Sequence, residues 1–198
     1  MPKGEDPLAD KQYNKTLGLL RVVSVYILIG VLFWFSRPTP SSVSLGAILV
    51  ILGEAVRFWA AGHLYKTVEL ITSGPYRYTR NPLYLGRLLI LTGICIMAIF
   101  PMYLNYVALV LGWAVFFGYY LRRKERVEPE RLRQTHGEPY EKYFKAVPAL
   151  FPTLRPYGQA SSTGWSSDRM LRNREHWMVI GLTILIVAML WRAYYLMS

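Results

Sequence analysis

Five stretches of this chain, 17–35, 43–65, 84–100, 103–121 and 177–197, are apolar over most of the length that a helix needs to cross a bilayer. A hydrocarbon core about 30 Å thick asks for about 20 consecutive apolar residues in a helix. Inside lipid every backbone polar group must be satisfied within its own segment, so such stretches become helices. The expected fold is therefore all-α: a polytopic membrane bundle of about five transmembrane helices, with cytoplasmic juxtamembrane helices. Little more than Pro101-Met102 separates the third and fourth spans, which predicts a tight helical hairpin with an uncharged tip. Trp34, Phe35, Tyr65, Tyr84, Tyr103, Trp177 and Tyr194 stand near span ends, where interfacial aromatics belong.

The charges orient the bundle. The chain has 198 residues, is 53% hydrophobic and still carries a formal charge of +11. Lys3, Lys11 and Lys15 precede the first span, and Lys66, Arg77 and Arg80 lie between the second and third. Twelve Lys and Arg fall in 122–176, whereas the two opposite loops hold only Arg37. This alternation predicts a cytoplasmic N-terminus at 1–16, a four-helix membrane core at 17–121, a cytoplasmic covering segment at 122–176 and a C-terminal transmembrane helix at 177–198. Basic loops beside an anionic leaflet account for the positive charge, so membrane lipids are the expected partners and nucleic acid is not. Residues 1–16 are polar and lack the pattern of a cleavable signal. The single cysteine, Cys95, lies in an apolar run, which leaves no disulfide framework and no cysteine-based metal site. No metal site is expected.

Arg21, Glu54, Arg57 and Arg87 fall inside apolar sequence. An isolated charge costs roughly 3 kcal/mol or more at mid-membrane. Glu54 and Arg57 are three residues apart and can pair on one helix face. Arg57 is thus either half of a structural ion pair or a cation facing a polar cavity, and in the second case a catalytic candidate. Arg21 and Arg87 lie near span ends and can snorkel to the interface. His63 reads as an interfacial residue.

Two polar blocks face the predicted cytoplasmic side. The first is Gly74-Pro75-Tyr76-Arg77-Tyr78-Thr79-Arg80-Asn81-Pro82-Leu83-Tyr84-Leu85-Gly86. Gly74-Pro75 makes a turn. Asn81 suits an N-cap and Pro82 a first helical turn, so the third span should begin there with its free N–H groups toward the site. Gly86 permits close approach of a backbone or a flat ligand. The second block is Arg122-Arg123-Lys124-Glu125-Arg126-Val127-Glu128-Pro129-Glu130-Arg131-Leu132, followed by Gly137, Tyr140, Tyr143 and Val147-Pro148. It reads as a charged helix stopping near Pro129. A short helix over 138–145 follows, with Tyr140 and Tyr143 on one face as part of a lid.

The first block resembles the GPYRYxRHPxYxG signature of the isoprenylcysteine carboxyl methyltransferase family and its phospholipid N-methyltransferase relatives. Glu128, Leu132, Gly137, Tyr140, Tyr143 and Val147-Pro148 are similar to that family's EExxLxxxFGxxYxxYxxxVP segment. The resemblance runs from about residue 57 to 152. It implies an integral-membrane methyltransferase that uses S-adenosylmethionine without a Rossmann domain and acts on a lipophilic or membrane-associated acceptor. On that transfer, Tyr78, Arg80, Asn81, Pro82, Tyr84, Leu85 and Gly86 belong to the cofactor pocket, and Glu128 meets the methionine ammonium. Tyr140 and Tyr143 close over the ligand, and Arg80 orients the acceptor or assists the transfer.

This chain departs from the pattern at three positions. Asn81 stands where the family has His, which removes any acid–base role there. Pro129 replaces the second Glu, and His136 replaces the aromatic before Gly137. A sulfonium methyl is already activated, so transfer chiefly needs in-line positioning and exclusion of water. A carboxylate or thiolate acceptor needs no general base, whereas an ammonium acceptor must first lose a proton. Only His136, Glu128 and Tyr76 are candidate bases, which favours an acid or thiol acceptor. Two other classes stay open: a sterol-reductase-like membrane enzyme binding NADPH at the same basic loop, and a non-catalytic membrane protein that keeps the fold to bind lipid or a partner.

Overall fold

The computed structural model describes residue 30, residues 33–65 and residues 70–197. The chain divides into two compact units, Met1–Ser36 and Arg37–Ser198. The first unit holds the predicted span 17–35, of which only Gly30 and the helical residues 33–35 are described; there Ser36 Oγ donates to the Phe33 carbonyl. The remainder of that span, the N-terminal lysines, Arg21 and Lys66 lie outside the described residues.

In the second unit the described residues form helices and no strand: α1 (Pro40–His63), α2 (Pro82–Met97), α3 (Leu104–Val115), α4 (Arg122–Ala146), α5 (Ser167–Arg172) and α6 (Glu175–Tyr195). A capping box starts α1: Thr39 Oγ1 accepts from Ser42 N at 3.1 Å and Ser42 Oγ accepts from Thr39 N at 3.0 Å. Its neighbour α2 begins at Pro82, as the sequence predicts, and its 16 residues span about 24 Å.

α1 and α2 run antiparallel along a seam of four glycines. A Cβ on Gly46 would lie 2.4 Å from the Gly93 carbonyl oxygen, and one on Gly53 would lie 2.7 Å from that of Gly86. The reverse contacts, from Gly86 and Gly93, are equally close at 2.5 Å. Small residues let helices touch backbone to backbone where lipid supplies no hydrophobic drive. At the far end Arg37 N donates to the Ile99 carbonyl at 2.6 Å, closing the pair.

The predicted hairpin is present. Pro101–Tyr103 forms one tight turn in which Met102 and Tyr103 take left-handed φ of 57° and 56°. Buried Asn105 staples it, accepting from Phe100 N and donating to the Cys95 carbonyl at 3.0 Å. α3 then passes through a wide π-turn at Phe116–Leu121 directly into α4. The stop predicted near Pro129 does not occur. Pro129 removes one backbone hydrogen bond, but the Arg- and Glu-rich sequence around it favours helix strongly enough to continue. The break falls instead at Gly137, where φ is 56° and ψ is −131°, and the predicted short helix follows it.

Among the described residues three helical runs, Pro40–His63, Pro101–Ala146 and Glu175–Tyr195, contain windows long and apolar enough to cross a membrane, and Pro82–Met97 is a shorter apolar helix. Their outward faces are apolar: Leu45, Ile48 and Leu52 on α1, Val107, Val110 and Leu111 on α3, and Ile180, Ile184, Val187 and Trp191 on α6 are all exposed. Helical spacing of exposed apolar residues is the pattern lipid covers. This is a helical membrane protein.

Candidate functional site

Between α4 and α6 the chain folds back as a strap and is tied to the first polar block at short intervals. Arg80 N donates to the Pro148 carbonyl at 2.9 Å, Thr79 Oγ1 to that of Leu150 at 2.9 Å, Thr153 N to that of Tyr78 at 2.9 Å and Tyr157 N to that of Arg77 at 2.9 Å. Further on, Ser73 Oγ donates to the Thr163 carbonyl at 2.7 Å, Ser166 N to that of Gly62 at 3.0 Å and Asn173 Nδ2 to that of Ala61 at 3.0 Å. His63 Nδ1 joins this lacing through Ser73 Oγ and the Thr163 carbonyl. His63 is thus a buried structural residue, not an interfacial one.

The end of α1, the first block and α4 enclose a cavity of about 670 Å³. Seven of the cofactor-pocket residues expected from the resemblance lie on its wall, Arg80, Asn81, Pro82, Tyr84, Glu128, Tyr140 and Tyr143, as do the candidate bases Tyr76 and His136. Four others are placed elsewhere. Tyr78 packs its ring against Trp59, with centroids 6.4 Å apart. Leu85 joins the apolar cluster of Leu88, Phe116 and Leu150. Gly86 faces α1, where a Cβ would meet Arg57 Cγ at 2.4 Å. Arg57 does not face the cavity as a free cation: its Nη2 pairs with Glu175 Oε1 at 2.6 Å, and its Nε lies 3.7 Å from Glu54 Oε2.

One acid that the sequence reading passed over organises the first block. Glu125 Oε2 accepts from Arg80 Nη2 in a short ion pair, and Glu125 Oε1 accepts from Asn81 Nδ2 at 2.7 Å. Asn81 Nδ2 also donates to the Ala149 carbonyl at 2.8 Å. Asn81 makes no side-chain cap on α2, and its amide is turned across the site, donating to Glu125 and the Ala149 carbonyl. Arg80 is held further by the Phe144 carbonyl at 2.7 Å and by stacking, its guanidinium carbon 3.7 Å from the Phe144 ring centroid. Its Nε is buried with no hydrogen-bond partner among the described residues.

Glu128, one turn on, pairs at 2.5 Å with Lys124 on its own helix. Tyr143 is spoken for as well, since its hydroxyl donates to the Tyr76 carbonyl at 2.8 Å. Burial, with the nearby charges of Glu128 and Glu175 adding to it, raises the Tyr76 phenol well above its ordinary pKa. It stays protonated at neutral pH and cannot serve there as a base.

This cavity, lined by charged and aromatic side chains at the end where α1 stops and α2 starts, is the candidate ligand site of the bundle. Residues 41–125 match the family model described as phospholipid methyltransferase. The cobalt-zinc-cadmium resistance protein CzcN of Cupriavidus metallidurans is 29% identical over 178 residues, covering 86% of this chain and 79% of that protein. The nickel-cobalt-cadmium resistance protein NccN of Alcaligenes xylosoxydans xylosoxydans is 25% identical over 190 residues, covering 92% of this chain and 86% of that protein. No solved structure matches this chain.

Proposed function

We propose that this chain transfers a methyl group from S-adenosylmethionine to a lipophilic or membrane-associated acceptor, a carboxylate, a thiol or a lipid headgroup. The observation that carries the reading is the convergence of both matched blocks, Arg80 to Tyr84 and Glu128 to Tyr143, on one cavity at the end of an apolar bundle. The residues present fit the cofactor chemically. Glu128 offers a carboxylate to the ammonium, and the Arg80 and Arg87 guanidiniums bring positive charge to the wall for a carboxylate. The rings of Tyr84 and Tyr140 supply flat apolar surface for a nucleobase.

When bound, S-adenosylmethionine supplies an electrophilic methyl that needs no further activation. The chain's task is then placement. Arg80, fixed by Glu125 and Phe144, holds its guanidinium in one orientation on the cavity wall, where it can orient the acceptor. With Tyr76 held neutral, the cavity wall offers His136 and acids already engaged in ion pairs as bases. That suits an acceptor already ionised at neutral pH.

The test is calorimetric titration of the detergent-purified protein with S-adenosylhomocysteine, with NADPH as control ligand. Micromolar binding of the nucleoside and none of NADPH is expected; the reverse pattern would move the chain to a reductase. A second reading, a pocket kept without turnover, draws on the fact that Glu125 and Glu128 are both paired with cations of the protein itself. Binding without transfer of labelled methyl to any membrane-extract fraction would favour it.

The same charge asymmetry that orders the loops supports a cytoplasmic site. Arg122, Arg123, Lys124, Arg126 and Arg131 all lie beside the cavity end of the bundle. With five spans the C-terminus then lies on the opposite face. A C-terminal alkaline phosphatase fusion in a bacterial host should be active and a C-terminal green fluorescent protein fusion dark. The opposite pair of signals would overturn this topology.

A further inference from the structure

Both carboxylates on the cavity wall are occupied by cations of the chain, but the two pairs differ in kind. Glu125 ties two elements together, whereas Glu128 is held by Lys124 from the same helix, four residues earlier. Such a pair is usually a solvated surface feature worth a few tenths of a kcal/mol. This one is only partly solvated. The Lys124 side chain is 23% exposed and that of Glu128 39%, and both lie on the cavity wall. Its Nζ sits 2.5 Å from Glu128 Oε2 and 4.9 Å from the centroid of the Tyr84 ring. A second cation, Arg87, lies 5.4 Å from the same ring.

A carboxylate beside an aromatic face is the combination that binds an onium centre, the one by charge and the other by its π-quadrupole. Here the ammonium of Lys124 fills that combination. We propose that Glu128 and Tyr84 form a cation subsite of the cavity, and that Lys124 is its resident competitor, a residue that sets affinity for cationic ligands. The proposal rests on the S-adenosylmethionine reading above and adds what that reading lacks: the ligand's cation must displace Lys124 rather than enter a vacant acid. Two like charges cannot share the subsite, because their repulsion inside a partly desolvated cavity outweighs the contact either one makes. The free energy of moving Lys124 is therefore subtracted from the affinity of every cationic ligand, and from no neutral one.

The test compares three ligands on the full-length protein in detergent: S-adenosylmethionine, S-adenosylhomocysteine and 5′-methylthioadenosine, which carry two, one and no cationic centres. The variants are Lys124→Met, which keeps the length and apolar stem, and Lys124→Arg, which keeps the charge. Lys124→Met is expected to tighten the cationic ligands by roughly tenfold while leaving 5′-methylthioadenosine unchanged. Lys124→Arg should tighten none of them. A gain for both S-adenosyl ligands assigns the subsite to the amino-acid ammonium, and a gain for S-adenosylmethionine alone assigns it to the sulfonium. Equal changes for all three ligands, no change at all, or a gain with Lys124→Arg would overturn the competitor role. Failure of the wild-type protein to bind either S-adenosyl ligand would instead remove the underlying methyltransferase reading. Thermal melting of each variant in the same buffer separates any loss of fold from a loss of binding.

Discussion

Replacing Arg57 by leucine is expected to destabilise the protein by about 3–5 kcal/mol, the cost of stripping one partner from a buried ion pair. The Arg57 side chain is 6% exposed, and it stands between Glu175 and Glu54, whose side chains are 6% and 10% exposed. Leucine would leave two carboxylates facing each other in the apolar interior with no cation. Among the described residues neither acid has another partner to fall back on. Both Glu54 oxygens and Glu175 Oε2 are already without a hydrogen bond. Glu54→Gln should be far milder, within about 1 kcal/mol, because the contact it loses is the long one at 3.7 Å. Glu175→Gln should fall between the two. Thermal unfolding in detergent, followed by tryptophan fluorescence, ranks the three variants. An Arg57→Leu protein melting alongside the wild type would refute the cluster's structural role. The effect should also reach the cavity, because Glu175 opens α6 and the strap tied to the first block ends where α6 begins.

That cluster also shows what a sequence can and cannot disclose. The i, i+3 spacing of Glu54 and Arg57 makes their pairing legible, and the pairing is present. Arg57's closer partner, Glu175, lies 118 residues further on, and only the laced strap brings it there. Pro82 as the start of α2 is equally legible, because proline's fixed φ and missing N–H suit that position whatever surrounds it. Asn81 is not, since its capping preference is a local tendency and Glu125 outbids it from another helix. The stop expected at Pro129 fails for a related reason: the one hydrogen bond lost there does not outweigh the helix-favouring sequence that carries the chain on to the break at Gly137. Glu125 and Glu128 stand one turn apart on the expected helix as well; what the sequence does not disclose is that Glu125 reaches Arg80 and Asn81. The structural reading of Gly86 needed the partner helix, because its role is to make room for Arg57 and the Gly53 carbonyl.

Glu125→Ala is the second large effect, and here the expected loss is of binding more than of fold. Glu125 makes two charge-assisted contacts, to the Arg80 guanidinium and to the Asn81 amide, each worth about 1.5–3 kcal/mol when well formed. Its side chain is 24% exposed and that of Arg80 12%, so water replaces only part of what is lost. Freed of Glu125, Arg80 keeps the Phe144 carbonyl and ring but has no fixed rotation about them, and Asn81 keeps only the Ala149 carbonyl. The cofactor wall would then be present in composition but unfixed in geometry. Affinity for S-adenosylhomocysteine is expected to fall by about tenfold or more, one decade for each 1.4 kcal/mol of positioning lost. Glu125→Gln separates charge from shape. It can still accept from Asn81 through its amide oxygen but presents a neutral partner to Arg80, so it should recover part of the binding and little of the salt sensitivity. Glu128→Gln provides the contrast, since Glu128 positions neither Arg80 nor Asn81 and its loss should weaken the ligand's cationic contact alone. If Glu125→Ala bound the nucleoside as well as wild type while Arg80→Ala did not, Arg80 would be held by Phe144 and the strap alone. Glu125 would then be a structural tie with no part in the site.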